Sequence, residues 1–225
     1  MAGSRTRGAA ARGAKRATTQ NNGPRNKGAK NNGAKNNGAL SSLRLKRPVR
    51  VAAKVKALQD DSQRRLGFVR NFLQLPIEAD RLTLLQGYLD RLMRSDDAAL
   101  PPQERELLAL VVSVENRCDV CVMSHAVALQ RHGLDKSLVD TLTINWRSAA
   151  LTGRQRALAE FAWRLTARPT EADGSYLDLL RRAGLREEQI LEAAQIVAIY
   201  NANNRFNTVI GLRVNPEAHA AFRKA

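Results

Sequence analysis

The chain contains two cysteines, Cys118 and Cys121, three residues apart, and His125 follows the second of them by four residues. On a helix these spacings place side chains on one face, so the imidazole of His125 would lie beside the thiol of Cys121. Cys118 would lie about 10 Å from His125 along the helix axis. An acid–base group beside a thiol makes the thiol a nucleophile near neutral pH. The spacing therefore predicts an ordered redox pair, in which Cys121 attacks and Cys118 closes a disulfide.

Two other interpretations of these residues remain open. Cys118, Cys121 and His125 could bind zinc, with His132, His219 or a carboxylate as the fourth ligand that structural zinc usually requires. Alternatively, the cysteines and the histidine are ordinary core side chains. His132 lies two further helical turns away from His125, which is too far for it to complete a zinc site, so we expect no metal here. We also expect no cofactor.

The segments that would position these residues are helical. Apolar residues recur at helical spacing, and no segment shows a convincing alternation with the period of a strand. The predicted helices lie near 51–65, 80–94, 100–117, 119–132, 135–146, 153–167, 171–183 and 187–211. The expected fold class is all-α, with the two cysteines at the start of the helix at 119–132.

The positive charge of the chain is concentrated at its N-terminus. The first 56 residues contain 15 of the 37 Lys and Arg residues and no acid, whereas the remainder contains 22 basic residues against 21 acids. The formal charge of +16 therefore describes an arm rather than the fold. Residues 21–40 form four pentads that are rich in Gly, Asn and Lys. A segment of this composition cannot bury apolar surface. We predict a disordered basic arm at residues 1–50 and a helical domain at residues 51–225.

Several interpretations of this arm remain open. It could be a solvated tail, or it could contact nucleic acid weakly through the phosphates, without base stacking because residues 1–50 contain no aromatic residue. It could also be a transit peptide, because it is rich in Arg and lacks acids, or a translation artefact upstream of the true start.

The composition also indicates the compartment. Two cysteines are too few for a disulfide framework in a chain of 225 residues. The longest apolar run, Leu107–Val112, is far too short to cross a membrane, and the N-terminus lacks the apolar region of a secretory signal. We therefore expect a cytoplasmic protein without a membrane contact.

The pattern Glu106-x11-Cys118-x2-Cys121-x3-His125 resembles the active site of the AhpD-like alkylhydroperoxidases, within the carboxymuconolactone decarboxylase superfamily. The flanking sequence segments at 66–72, 101–129 and 196–212 resemble those of the uncharacterised peroxidase-related branch of that superfamily. The resemblance covers about residues 57–213 and leaves the arm without a counterpart.

This resemblance implies an AhpD-like all-helical domain and a cysteine-based peroxidase activity on hydroperoxides. It implies that Cys121 is the peroxidatic cysteine, that Cys118 resolves it, and that Glu106 and His125 form a proton relay. The expected partners are an external dithiol reductant, which in the family can be a lipoylated protein, and further copies of the chain in a homo-oligomer.

Glu106 precedes Cys118 by twelve residues, which is about 18 Å along a straight helix. The chain must therefore turn near Asn116 and Arg117 if the acid and the thiol are to meet. Glu104 and Glu115 are rival acids, for which a solvated helix end is the expected role.

The sequence departs from the family at Val120, where the best-known members have a second relay histidine. Members that act as lactone decarboxylases lack the CxxC motif, so its presence here argues against that chemistry. A dithiol sensor or disulfide exchanger without efficient peroxide turnover remains an alternative, as does a nucleic-acid-associated protein that binds through the arm.

The stretch Tyr200–Asn207 contains an unusual number of asparagines for a helix. Asn201 and Asn204 share one face, and because Asn is a poor helix former we expect them to have a structural role in which they cap or bridge buried carbonyls. A supporting role beside the active site is the alternative. We interpret Trp146 and Trp163 as core or subunit contacts.

Overall fold

The computed structural model describes residues 40–46 and 49–224, and within them it contains nine α-helices and no strand. The helices are α1 Ala53–Leu66, α2 Ala79–Arg94, α3 Pro102–Glu115, α4 Asp119–Arg131, α5 Lys136–Asn145, α6 Gly153–Ala167, α7 Gly174–Arg182, α8 Glu187–Val209 and α9 Pro216–Lys224. Three 3-10 turns lie at Asn71–Gln74, Trp146–Ser148 and Pro169–Glu171. The predicted all-α fold is confirmed. Helix α9 was not predicted.

Local signals in the sequence account for the helix ends. Pro102 lies in the first turn of α3, where its missing N–H costs nothing. Thr152 and Gln155 form a reciprocal capping box at the start of α6. Gly133, with φ of 87°, follows the end of α4 in a left-handed conformation that favours glycine. These signals explain why the predicted bounds lie close to those observed.

Helix α3 lies at the centre of the molecule and packs against α4, α6 and α8. Residues 104–113 of this helix are all buried, and Leu108, Leu110 and Val112 have no exposed surface. A helix that is surrounded in this way cannot rotate without breaking its packing. Side chains on α3 are therefore held in fixed positions relative to α4 and α8.

A sharp turn joins α3 to α4. Asn116 ends α3, Arg117 adopts a φ of 54°, and the backbone N–H of Cys118 donates to the carbonyl of Ser113 at 3.0 Å. Cys118 is the N-cap residue of α4, so the predicted position of the CxxC motif at a helix start is confirmed. The turn folds α4 back against α3.

The chain before α1 contacts the end of α8. The backbone N–H of Ser42 donates to the carbonyl of Ile210 at 2.9 Å, and that of Arg213 donates to the carbonyl of Leu40 at 2.9 Å. These contacts were not foreseen from the sequence. The rest of the predicted arm lies mostly outside the described residues, so the interpretations of it stay predictions.

The described helices carry no segment of the length and apolar character that a membrane span needs. The buried face of each helix is instead used against other helices of the same domain. Apolar residues of α3, α6 and α8 form the larger core, and a second cluster joins α1 and α2 to the residues that follow α8.

Candidate functional site

Cys118 and Cys121 form a disulfide at the N-terminus of α4, with their Cα atoms 5.3 Å apart. Both residues are buried, but Cys121 lines the large cavity described below and Cys118 does not. The partial positive charge of a helix N-terminus favours a thiolate when such a pair is reduced. The structure thus gives the two sulfurs different access to a ligand in the cavity.

Glu106 on α3 and His125 on α4 meet in a buried hydrogen bond. Oε2 of Glu106 lies 2.6 Å from Nδ1 of His125, and the two residues are 8% and 7% exposed. A carboxylate that binds Nδ1–H leaves Nε2 as the basic atom of the neutral ring. Because both residues line the same cavity as Cys121, the three predicted residues are brought together. The imidazole could accept a proton at Nε2 and hold the resulting charge beside Glu106.

The two rival acids lie elsewhere. Glu115 is exposed at the end of α3. Glu104 binds Arg154 of α6 through two hydrogen bonds, at 2.7 Å from Nε and 3.0 Å from Nη2. The hydrogen bond to Glu104 raises the pKa of Arg154 above its usual value. Glu104 therefore joins α3 to α6, which is a structural role.

We expect Glu104→Gln to lower the free energy of unfolding by about 2 kcal/mol, because it replaces two charge-assisted hydrogen bonds in a largely buried pair. Urea unfolding followed by circular dichroism measures this change. Glu160→Gln is the matched control, since Glu160 pairs with Arg164 one turn away on the helix surface and should cost less than about 0.5 kcal/mol. Equal losses for the two variants would contradict the structural role of Glu104.

Tyr200 of α8 packs edge-on against the imidazole of His125, with ring centroids 4.5 Å apart. Burial raises the pKa of the Tyr200 phenol well above its usual value, and the charge of Glu106 raises it further. The phenol is therefore neutral throughout the ordinary pH range. It fixes the plane of the imidazole from the side of α8, a role that sequence reasoning missed.

The asparagines of α8 divide into two groups. Asn204 bonds to Ser113 at 3.2 Å, and Asn201 bonds to Thr166 and to Asn116, each at 3.0 Å. These two residues join helices as expected of a structural role, but their partners on other helices are side chains rather than the predicted carbonyls. Asn207, by contrast, directs Nδ2 to Sγ of Cys121 at 3.4 Å. Sequence reasoning missed this contact, although Asn207 closes the stretch that it singled out.

The amide of Asn207 is buried, and its Oδ1 has no hydrogen-bond partner among the described residues. A donor that contacts the sulfur stabilises a thiolate more than a thiol. Because Oδ1 has almost no accessible surface, the contact that Asn207 offers at the edge of the cavity is the one between Nδ2 and the sulfur. Asn207 is thus placed to act on the sulfur.

We expect Asn207→Leu to slow the alkylation of reduced Cys121 by iodoacetamide at neutral pH by about tenfold, because the thiolate loses a charge-assisted hydrogen bond. Mass spectrometry of the peptide that contains Cys121 measures this rate. Asn203→Ala is the matched control, since Asn203 lines the cavity without a hydrogen bond to the sulfur. An unchanged rate in Asn207→Leu would show that the amide does not act on the sulfur.

The cavity beside Cys121 has a volume of about 590 Å³. Residues from α1, α2, α3, α4, α8 and α9 line it, and its apolar wall includes Phe68, Leu89, Met93 and Val127. This volume lies within the range of pockets that enclose small organic ligands. Val120, at the place of the relay histidine in the best-known AhpD-like proteins, adds another apolar surface. The site combines a polar reactive end with an apolar chamber.

The described residues contain no group of three or more His, Cys, Asp and Glu side chains with the geometry to hold a metal ion. The two cysteines are bonded to each other, and the histidine is bonded to Glu106. This arrangement is suited to thiol–disulfide chemistry with proton transfer through an imidazole–carboxylate pair.

The sequence model of the Carboxymuconolactone decarboxylase family matches residues 80–164, a range that contains α3, α4 and the four predicted site residues. No curated protein matches the chain in sequence.

Solved structures share the fold over most of the chain. An uncharacterized peroxidase-related protein from Silicibacter sp. TM1040 is 26% identical with a TM-score of 0.76, over 82% of this chain and 96% of that one. An uncharacterized peroxidase-related protein with an alkylhydroperoxidase AhpD core, from Ralstonia eutropha JMP134, is 27% identical with a TM-score of 0.67, over 83% and 98%. The debrominase Bmp8 is 20% identical with a TM-score of 0.68, over 82% and 99%, which shows a shared fold alone.

Proposed function

Because the chain belongs to the superfamily of carboxymuconolactone decarboxylases and AhpD-like proteins, we propose that it is a cysteine-based peroxidase that reduces organic hydroperoxides. The observation that carries the proposal is the convergence of Cys121 with the bonded pair of Glu106 and His125 on one cavity, while Cys118 lies within disulfide reach behind it.

In the first step, Nε2 of His125 takes the proton of the Cys121 thiol, and Glu106 stabilises the resulting imidazolium. The thiolate attacks the terminal oxygen of the hydroperoxide, the O–O bond breaks, and the hydroxyl group is transferred to sulfur. The leaving alkoxide takes the proton from His125 and departs as an alcohol. Cys121 is then a sulfenic acid. Asn207 supports this step by donating to the sulfur.

In the second step, the thiol of Cys118 condenses with the sulfenic acid, which releases water and forms the disulfide. An external dithiol then attacks the disulfide and leaves as its own disulfide, so that both thiols are restored. The enzyme thus transfers two electrons from a dithiol to a hydroperoxide. A lipoylated protein is the reductant that the family resemblance favours.

The proposal is tested by the rate of cumene hydroperoxide consumption in the presence of dihydrolipoamide or dithiothreitol. We expect turnover that saturates with hydroperoxide and exceeds the reaction of the dithiol alone. If the protein instead exchanges rapidly with a test disulfide and consumes peroxide no faster than the free dithiol does, it is a disulfide exchanger and the proposal is wrong.

A further inference from the structure

A cation without a carboxylate partner lies in the wall of the cavity. Arg70 precedes the 3-10 turn Asn71–Gln74, and its side chain lines the same cavity as Cys121. Nη2 donates to Oε1 of Gln86 at 2.8 Å, whereas Nε is buried and has no hydrogen-bond partner among the described residues. Arg70 is half-buried as a residue, and a guanidinium that is withdrawn from water without a carboxylate partner is costly unless an anion binds its accessible edge.

Asp90 is the acid that acts most strongly on Arg70, but it does not neutralise the charge of the guanidinium. Asp90 acts on Arg70 electrostatically, but its carboxylate accepts a hydrogen bond from Nε2 of Gln86 at 2.6 Å and forms an ion pair with Arg94. Burial lowers the pKa of Arg70 below its usual value, which reports the desolvation of the guanidinium. Gln86 thus holds Arg70 in place while the charge of Asp90 is shared with Arg94.

The surroundings of Arg70 define what an anionic ligand must look like. Phe68, Leu89, Met93 and Val127 line the same cavity, so an apolar ligand body can pack against them. A guanidinium presents a planar set of donors that fits a carboxylate. Arg70 lines the same cavity as Tyr200, which packs on His125 at the reactive end. One ligand can therefore extend from the cation to the reactive end of the cavity.

We propose that the substrate is the hydroperoxide of an apolar carboxylic acid, of the fatty acid class, whose carboxylate binds Arg70 while its hydroperoxide group lies at Cys121. This inference rests on the proposed function and extends it to a class of substrate. The volume of the cavity, about 590 Å³, accommodates an alkyl chain.

The carboxylate site is tested first without any peroxide chemistry. Isothermal titration calorimetry of the full-length protein compares octanoate with octanamide, which has the same chain and no charge. We expect octanoate to bind about tenfold or more tightly than octanamide, because it gains charge-assisted hydrogen bonds to Arg70. Arg70→Met should abolish this preference. A wild-type protein that binds the two compounds equally would overturn the proposal, whatever the stability of the variant.

Arg65→Met is the matched control for the variant. Arg65 also borders the cavity, but its Nε already bonds to Asp61 at 2.6 Å. Arg65→Met removes the same charge as Arg70→Met, but it should leave the preference for octanoate over octanamide within about twofold of the wild-type value. Equal loss of the preference in Arg65→Met and Arg70→Met would point to general electrostatic attraction and overturn the assignment to Arg70.

A kinetic comparison assigns the carboxylate to the substrate rather than to the reductant. With the neutral reductant dithiothreitol, linoleic acid hydroperoxide should show a KM about tenfold below that of its methyl ester, and Arg70→Met should remove this difference in KM. Equal KM values with an intact octanoate preference would assign the site to another carboxylate ligand, such as lipoate, and overturn the substrate class. Octanoate binding that needs Arg70 in a protein without any peroxide turnover would instead overturn the proposed function and leave the carboxylate site.

Discussion

Cys121→Ser lowers the rate of hydroperoxide turnover by about a thousandfold or more. A serine hydroxyl is a far weaker nucleophile than a thiolate and cannot form a sulfenic acid. The substitution is close in size, and Cys121 is a buried residue in the first turn of α4, so the fold should be retained. The measurement is the rate of cumene hydroperoxide consumption with dithiothreitol as the reductant.

Cys118→Ser is the matched control and should behave differently. It keeps the attacking sulfur and the cavity, so the first equivalent of hydroperoxide is still reduced, but the sulfenic acid of Cys121 then has no partner thiol. A dimedone adduct on Cys121 detects this trapped state. Full turnover in both variants would contradict the assignment of the two cysteines, and a dimedone adduct on residue 118 of Cys121→Ser would reverse their order.

Glu106→Gln lowers the turnover by about a hundredfold, because the neutral amide no longer stabilises the imidazolium that forms when His125 takes the proton of the thiol. The amide keeps the size of the carboxylate and an oxygen that can accept from Nδ1–H, so the loss measures charge rather than packing. The measurement is the single-turnover rate of Cys121 oxidation with limiting hydroperoxide, followed by rapid quench and mass spectrometry.

Glu104→Gln serves as the control, since it removes a carboxylate from the same turn of α3 without contact to His125. It should leave the oxidation rate within about twofold while it lowers stability. The double variant Glu106→Gln/His125→Asn should oxidise Cys121 at most about twofold more slowly than His125→Asn alone. Residues that act as a unit do not have additive effects. Additive losses would show that the two residues act separately.

The sequence predicted the parts of the site that are close together along the chain. The spacing of Cys118, Cys121 and His125 is a property of one helix, and helical periodicity together with the cap residues locates that helix. The family resemblance brought Glu106 into the site, and the turn at Arg117 that it required is present. The helix start at the CxxC motif rests on local geometry and is confirmed, whereas the catalytic roles of the four residues stay predictions.

The parts that were missed depend on contacts between distant segments. Asn207 and Cys121 are 86 residues apart, and Tyr200 and Arg70 reach the cavity from elements whose packing no local pattern specifies. The polar character of Asn207 on α8 was visible in the sequence, but its choice of partner depends on how α8 packs against α4. The contact of Ser42 with Ile210 was missed for the same reason, since the composition around it indicates an arm.

The peroxidase activity is tested most directly by a reaction of the fully reduced protein with one equivalent of cumene hydroperoxide in the absence of oxygen. We expect each chain to lose two hydrogen atoms, peptide mapping to assign the new bond to Cys118 and Cys121, and one molecule of cumyl alcohol to form for each disulfide. Two free thiols and unreacted hydroperoxide, in a protein that is folded, would contradict it.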